Sequence, residues 1–269
     1  MKLTMSESKP TVGRCVATFM LALATILFLA PGVYAADDDA SRILKAMSDY
    51  LTSQKGMSAK LDMELEVITS DIQKIQFSSS GEVIFSRPDK LRLERLGGYS
   101  HVELVFDGKM LTLVDKDRNV FGQAEASGTV DQLIDKLRQE LGIELPGGDL
   151  LLSNMYDVLS APILAAKHIG RGIVDGVECE HLAFRNADTD WQIWIEVGDR
   201  PVPRKYVITT KTMAAAPQYS LRLHDWSFDP APGADAFKFT PPEGAKKVAI
   251  VELTNIDELP PPAAPGGGQ

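Results

Sequence analysis

Met57-Ser58-Ala59-Lys60-Leu61-Asp62-Met63-Glu64-Leu65-Glu66-Val67 places an apolar residue at every odd position and a polar one at every even position. A period of two describes a strand with one face buried and the other wetted. Strands of that kind belong to antiparallel sheets, because parallel sheets are covered on both faces.

Downstream, shorter strand patterns follow near Ile72–Phe85, Lys90–Leu96, Val102–Phe106, Met110–Val114 and Val120–Ala124. Asp107-Gly108 is a hairpin turn, since both residues tolerate the positive φ such turns need. A helix then interrupts. Thr129 and Gln132 have the spacing of a capping box, and Val130, Leu133, Ile134, Leu137 and Leu141 make an apolar stripe. Leu145-Pro146-Gly147-Gly148 breaks the chain before a second apolar, helical patch at 150–164. Strand patterns resume near Lys167–Val174, Val177–Phe184, Trp191–Val197, Lys205–Thr212 and Pro217–Phe228. Asp175-Gly176 forms another hairpin, and Pro201 and Pro203 make a stiff loop.

Upstream of the first strand, Ile43, Leu44, Met47 and Leu51 share a helix face behind the acidic start Asp37–Asp39, and Gly56 ends that helix. The plan is therefore about ten antiparallel strands with helices in two places. A sheet that large curls or closes. Its inner face is the apolar surface that the helical stripes need.

The N-terminus has a different grammar. Lys2, Lys9 and Arg14 precede an apolar run from Cys15 to Ala30, then Pro31-Gly32 and the small residues of Val33-Tyr34-Ala35. That is the pattern of a cleavable secretory signal over residues 1–35, with a run short of the ~20 residues of a membrane span. Cleavage removes three bases and one acid and takes the net charge from −9 to −11. Such a balance argues against a nucleic-acid partner and against resting on an anionic membrane. Cys179 is then the sole cysteine, so no disulfide forms within the exported chain. The expected organisation is a signal peptide at 1–35, a single domain at 36–255 and a disordered Pro/Gly-rich tail at 256–269. The exported form has no stable membrane insertion.

Catalytic grammar is sparse. There is no His-Glu-x-x-His, no Gly-x-Ser-x-Gly and no phosphate-binding glycine loop. Gly170, Gly172 and Gly176 sit in a hairpin at the wrong spacing for a nucleotide site. Cys179 and His181 share a strand face, but no second pair completes a metal set, and a buried thiol beside a bonded imidazole is the simpler reading. Asp107, Asp115 and Asp117 lack the Gly and Glu of a calcium loop and read as solvated turn carboxylates. No cofactor and no metal are expected. Trp191, Trp194 and Trp226, the only tryptophans, lie in the second half with Tyr206 and Tyr219. Their rings suit core packing between strands or the wall of a ligand cavity.

Several of these stretches carry a family resemblance. They are His181-Leu182-Ala183-Phe184-Arg185, Asp190-Trp191-Gln192-Ile193-Trp194-Ile195-Glu196, Pro201 to Ile208 with Thr209-Thr210-Lys211, Pro217-Gln218-Tyr219 and Asp225-Trp226. The Phe106-Asp107-Gly108-Lys109 turn and Phe237-Lys238-Phe239-Thr240-Pro241-Pro242-Glu243-Gly244 continue it. Together, over about residues 37 to 252, they resemble the predicted periplasmic proteins grouped as domain of unknown function 2092. That family is similar in architecture to the outer-membrane lipoprotein carriers and receptor of Gram-negative bacteria, and to a periplasmic stress sensor. The resemblance implies an incomplete barrel that cradles acyl chains under helices, in the periplasm. No residue role is carried over from it.

The expected fold is α+β, mainly β: a strongly curved antiparallel sheet, an incomplete β-barrel, with helices covering its concave face. The expected function is binding of a lipid, a lipoprotein acyl chain or another apolar ligand. Leu61, Met63, Leu65, Leu93, Trp191 and Trp226 are the expected wall, and a helix near 150–164 the gate. The alternative is an envelope sensor or interaction module with a filled core and a protein partner. An enzyme, with Asp190, His181 and His224 as first suspects, is the less favoured third reading.

Overall fold

A computed structural model describes residues 38–228 and 232–253. The signal and tail readings lie outside the described residues. Helix α1 spans Asp38–Ser53 and buries Leu44, Met47 and Leu51, the stripe its spacing predicts. Six strands follow as a meander: β1 Gly56–Ile68, β2 Lys74–Ser86, β3 Lys90–Gly97, β4 His101–Phe106, β5 Met110–Asp115 and β6 Val120–Glu125. Helix α2, Val130–Glu140, starts at Thr129 with both bonds of the capping box in place. After a 3₁₀ turn at Gly148–Leu151 and the short helix α3, Met155–Ser160, a second meander runs. Its strands are β7 Ala165–Val174, β8 Val177–Arg185, β9 Thr189–Glu196, β10 Pro203–Thr210 and β11 Gln218–Ser227. Two-residue β12, Lys246–Lys247, brings the count among the described residues to twelve rather than ten.

The two meanders join because β1 pairs with β2 on one side and with β11 on the other. The result is one sheet in the order β12-β6-β5-β4-β3-β2-β1-β11-β10-β9-β8-β7. Its two end strands do not pair, so the barrel stays open. All ladders are antiparallel except the short β12–β6 pair. The odd-numbered face of β1 points inward as its alternation requires, with Met57, Ala59, Leu61 and Met63 buried. They join a core that also contains Leu44 and Met47 of α1 and Leu133 and Leu137 of α2, so these helices lie on the concave side.

Three local readings change. Strand β2 begins at Lys74, because Ile72 takes a positive φ of 65° inside a turn closed by Thr69 and Gln73. The 150–164 patch is not one helix. Ser153 gives its backbone N–H to Asp131 Oδ1 of α2 at 3.0 Å, and its hydroxyl bonds the other oxygen of that carboxylate. A donor spent on another element is lost to a helical ladder, so the patch splits into the 3₁₀ turn and α3. Asp115 is buried and ion-paired with Arg118, not solvated.

The C-terminal segment wraps the β6 edge. Phe237 is buried in a 3₁₀ turn, Ala234–Phe237, that packs on β3, and the ring of Phe239 lies 5.1 Å from that of Phe121 in β6. Strand β12 then extends the edge, and the 3₁₀ turn Ile250–Leu253 crosses β5 and β6. A Cβ on Gly122 would meet Ile250 Cα at 2.7 Å, so only glycine permits this crossing. Covering an edge in this way hides backbone groups that would otherwise pair with another chain.

Candidate ligand-binding cavity

A cavity of about 540 Å³ lies between the concave face and the segment that links α2 to α3. Its floor is supplied by adjacent strands. Strand β1 gives Leu61, Met63 and Leu65, β3 gives Leu93, β4 gives Leu104, and β5 gives Leu113. Strand β11 gives Tyr219, Leu221, Leu223 and Trp226. Register makes the floor continuous: Leu61 faces Leu223, Met63 faces Leu221 and Leu93 faces Leu104. Small side chains help keep it hollow. In the row Leu223–Leu61–Gly81–Arg95, Gly81 puts no side chain between Leu61 and Arg95. In the next row, Met63 faces Ser79 and Ser79 faces Gly97.

The roof is the stretch from Gly142 through Leu151, including Ile143, Leu145, Pro146 and Leu150. Gly142 and Gly147 both have positive φ, at 65° and 83°. A Cβ on Gly147 would stand 2.9 Å from Leu221 Cδ2, so the roof approaches the floor closely there. Leu253 closes one side. Of the patch at 150–164 expected as the gate, Leu150 and Leu151 lie in the roof, whereas α3 packs on α1.

Five of the six expected wall residues, Leu61, Met63, Leu65, Leu93 and Trp226, line this cavity together. Trp191 lies elsewhere. It stacks on Phe184 with ring centroids 4.0 Å apart and meets Tyr206 edge-on at 5.7 Å. Trp226 is turned inward by a bulge. Ser58 pairs with Ser227 while Lys60 pairs with His224, so β11 holds one extra residue there. Asp225 takes a positive φ of 51°. The bulge moves an even-numbered residue onto the face of Leu221 and Leu223. The Trp226 indole donates to Pro203 O at 3.1 Å.

The roof is held by polar contacts at its ends. Arg87, lying over the Phe85 ring, donates from Nη1 to Leu151 O at 3.3 Å. Burial lowers the pKa of its guanidinium. Tyr206 donates from its hydroxyl to Asp149 Oδ2 at 3.3 Å. Burial raises the carboxyl of Asp149, against the lowering effects of the Tyr206 bond and of Arg138. A raised carboxyl penalises the folded state once it ionises: the penalty is absent below pH 3.8, grows through the folded value and is complete above it. Asp149→Asn is therefore expected to leave stability unchanged near pH 3 and to raise it increasingly toward pH 7. Thermal melts of both proteins across that range check the sign; a wild type that gains on the variant as pH rises contradicts it.

Among the described residues Arg95 is the one cation in the lining, and it donates to Ser100 Oγ at 3.2 Å. The two acidic lining residues are paired, Glu144 with Arg138 at 3.3 Å and Glu103 with Arg92 and Lys116. Asp190, His181 and His224 do not line the cavity. Asp190 binds Arg185 and Lys211, His181 meets Gln192 at 2.9 Å, and His224 sits between Asp62 and Asp225. Buried Cys179 has its thiol pushed up to about 11 by desolvation, which keeps it protonated and unreactive at neutral pH. Among the described residues no helix is long and apolar enough to cross a membrane, and no group of metal-ligating side chains gathers.

An open twelve-stranded sheet that shelters an apolar hollow under an irregular roof defines the class of this protein. The chain belongs to the family described as predicted periplasmic proteins, domain of unknown function 2092, whose profile matches residues 40–251. An uncharacterized protein of Methanocaldococcus jannaschii is 24% identical over 243 residues, 87% of this chain and 63% of its own length. The chain thus spans less than two thirds of that relative. Among solved structures, MucB of Pseudomonas aeruginosa in complex with MucA is similar with a TM-score of 0.42 at 13% identity, covering 75% of this chain and 61% of its own. The Mycobacterium tuberculosis lipoprotein LppX gives 0.38 at 10%, covering 73% and 99%. A LolA-superfamily protein from Nitrosomonas europaea gives 0.33 at 11%, covering 74% and 97%.

Much of the site was not singled out from sequence. Leu221 and Leu223 continue the alternation of Tyr219 and were readable as an inward row. The roof from Gly142 to Gly148 gave only a breaker signal, Leu150 and Leu151 belonged to the apolar patch expected as the gate, and Leu253 gave no signal.

Proposed function

We propose that this protein is a periplasmic binding protein for a lipid, an acyl chain or another apolar ligand, and not an enzyme. The observation that carries the reading is the hollow itself: an interior of about 540 Å³ walled by Leu, Met, Val, Tyr and Trp side chains. Interiors otherwise pack to crystal density, and unfilled apolar volume destabilises a fold. A hollow of this size is within the range of small-molecule sites. Binding proceeds by burial, each methylene contributing about 0.8 kcal/mol. The roof, with glycines at Gly142 and Gly147 and tethers at Leu151 and Asp149, is the part that opens.

The test is a titration of the full exported chain with a fatty acid whose fluorescence rises in apolar surroundings. Saturable uptake, reversed by unlabelled alkyl compounds, is the expected result. A signal that stays linear and is not displaced removes the reading.

A further inference from the structure

We infer that the cavity takes one unbranched alkyl chain at a time, and so selects single-chain lipids over those with two or three chains. This deepens the proposal above and rests on it. The limit is one of capacity. An apolar cavity of ~150 Å³ holds one benzene, six carbons. At that density, 540 Å³ holds about twenty carbons, one long chain.

The extent of the lining shows how that volume is spread. The lining comes from β5, β4, β3, β2, β1 and β11, six consecutive strands of the sheet. Neighbouring strands are about 4.8 Å apart, so the hollow crosses roughly 24 Å. Along β1 the lining also runs from Met57 to Leu65, roughly 26 Å, so the volume spreads along the strands as well as across them. Room for about twenty carbons in all is taken up by one long chain laid over this floor. The side chains that bound the hollow are fixed by register: Leu61 against Leu223 and Leu93 against Leu104 on the floor, with Gly147 close over Leu221. A second chain alongside the first would have to displace this floor or lift the roof.

The experiment uses the full exported chain, stripped of lipid. It is titrated with saturated fatty acids of increasing length, with a two-chain phosphatidylglycerol and with a triacylated lipopeptide. Native mass spectrometry reads stoichiometry, and displacement of a fluorescent fatty acid reads affinity. The expected result is one fatty acid per protein, with affinity rising about fourfold per methylene and levelling off near twenty carbons. The two- and three-chain lipids then compete no better than their number of chains alone explains. A multi-chain lipid that binds far more tightly, or affinity that climbs past that length without levelling, overturns the single-chain inference and leaves the binding proposal standing. Failure of every fatty acid and lipid to bind overturns both.

Discussion

Trp191→Ala is expected to destabilise the fold by about 3–5 kcal/mol, the range for deleting a buried large aromatic side chain. Trp191 is 3% exposed. Its ring stacks on Phe184 at an interplanar angle of 20° and receives Tyr206 edge-on. It faces Phe184 across β8 and Ile208 across β10, so its removal opens a void between three strands. Aromatic pairs of this geometry add about 0.5–1.5 kcal/mol each beyond their burial. The folded fraction should still bind ligand with unchanged affinity, because the residue does not line the cavity. Trp226→Ala is the contrasting variant. It removes a half-buried wall residue, so the larger effect is expected on affinity and the smaller on stability. Denaturant melts and ligand titration on both proteins separate the two roles. Equal loss of affinity in the two variants would contradict the placement of Trp191.

Leu61→Trp should weaken binding of a long alkyl ligand by about fiftyfold or more, with stability unchanged or raised. Leu61 lies mid-floor, between Leu223 and Gly81, with the hollow above it. An indole there excludes several carbons, and three lost methylenes at about 0.8 kcal/mol each account for that factor. Enlarging a side chain in a filled core usually destabilises by 1–3 kcal/mol, whereas filling a void does not. The pairing of lost affinity with retained stability is thus the signature of an open ligand space. A strongly destabilised variant would mean that the space beside Leu61 is already occupied.

What the sequence disclosed follows the range of the forces involved. The Met57–Val67 alternation and the Thr129 cap are written in neighbouring residues, and both elements form where their patterns place them. So do the hairpins at Asp107-Gly108 and Asp175-Gly176, where Gly108, Asp175 and Gly176 take the positive φ such turns need. Of the five wall residues that meet in the cavity, Leu61, Met63 and Leu65 came from the same alternation, Trp226 from the clustering of aromatics and Leu93 from the Lys90–Leu96 strand pattern. The features that escaped depend on distant partners. Asp131 claims the backbone of Ser153 across the fold and so divides an apolar patch that reads locally as one helix. A single bulged residue, Asp225, reverses which face Trp226 joins, and only pairing with β1 shows it. The wrap of the C-terminal segment around β6 turns on the missing side chain of Gly122, whose partner Ile250 is far away in sequence. Whether the concave face is filled or hollow is likewise a sum over many strands, with no local signature.

The most direct measurement is native mass spectrometry of the protein from residue 36 on, purified without detergent from cells that express the full chain. The proposed function predicts a bound apolar adduct, one per chain, released when organic solvent is added and regained on mixing with a fatty acid. A bare polypeptide mass that stays bare after such mixing would show that no alkyl chain enters the space, and the binding account would fall.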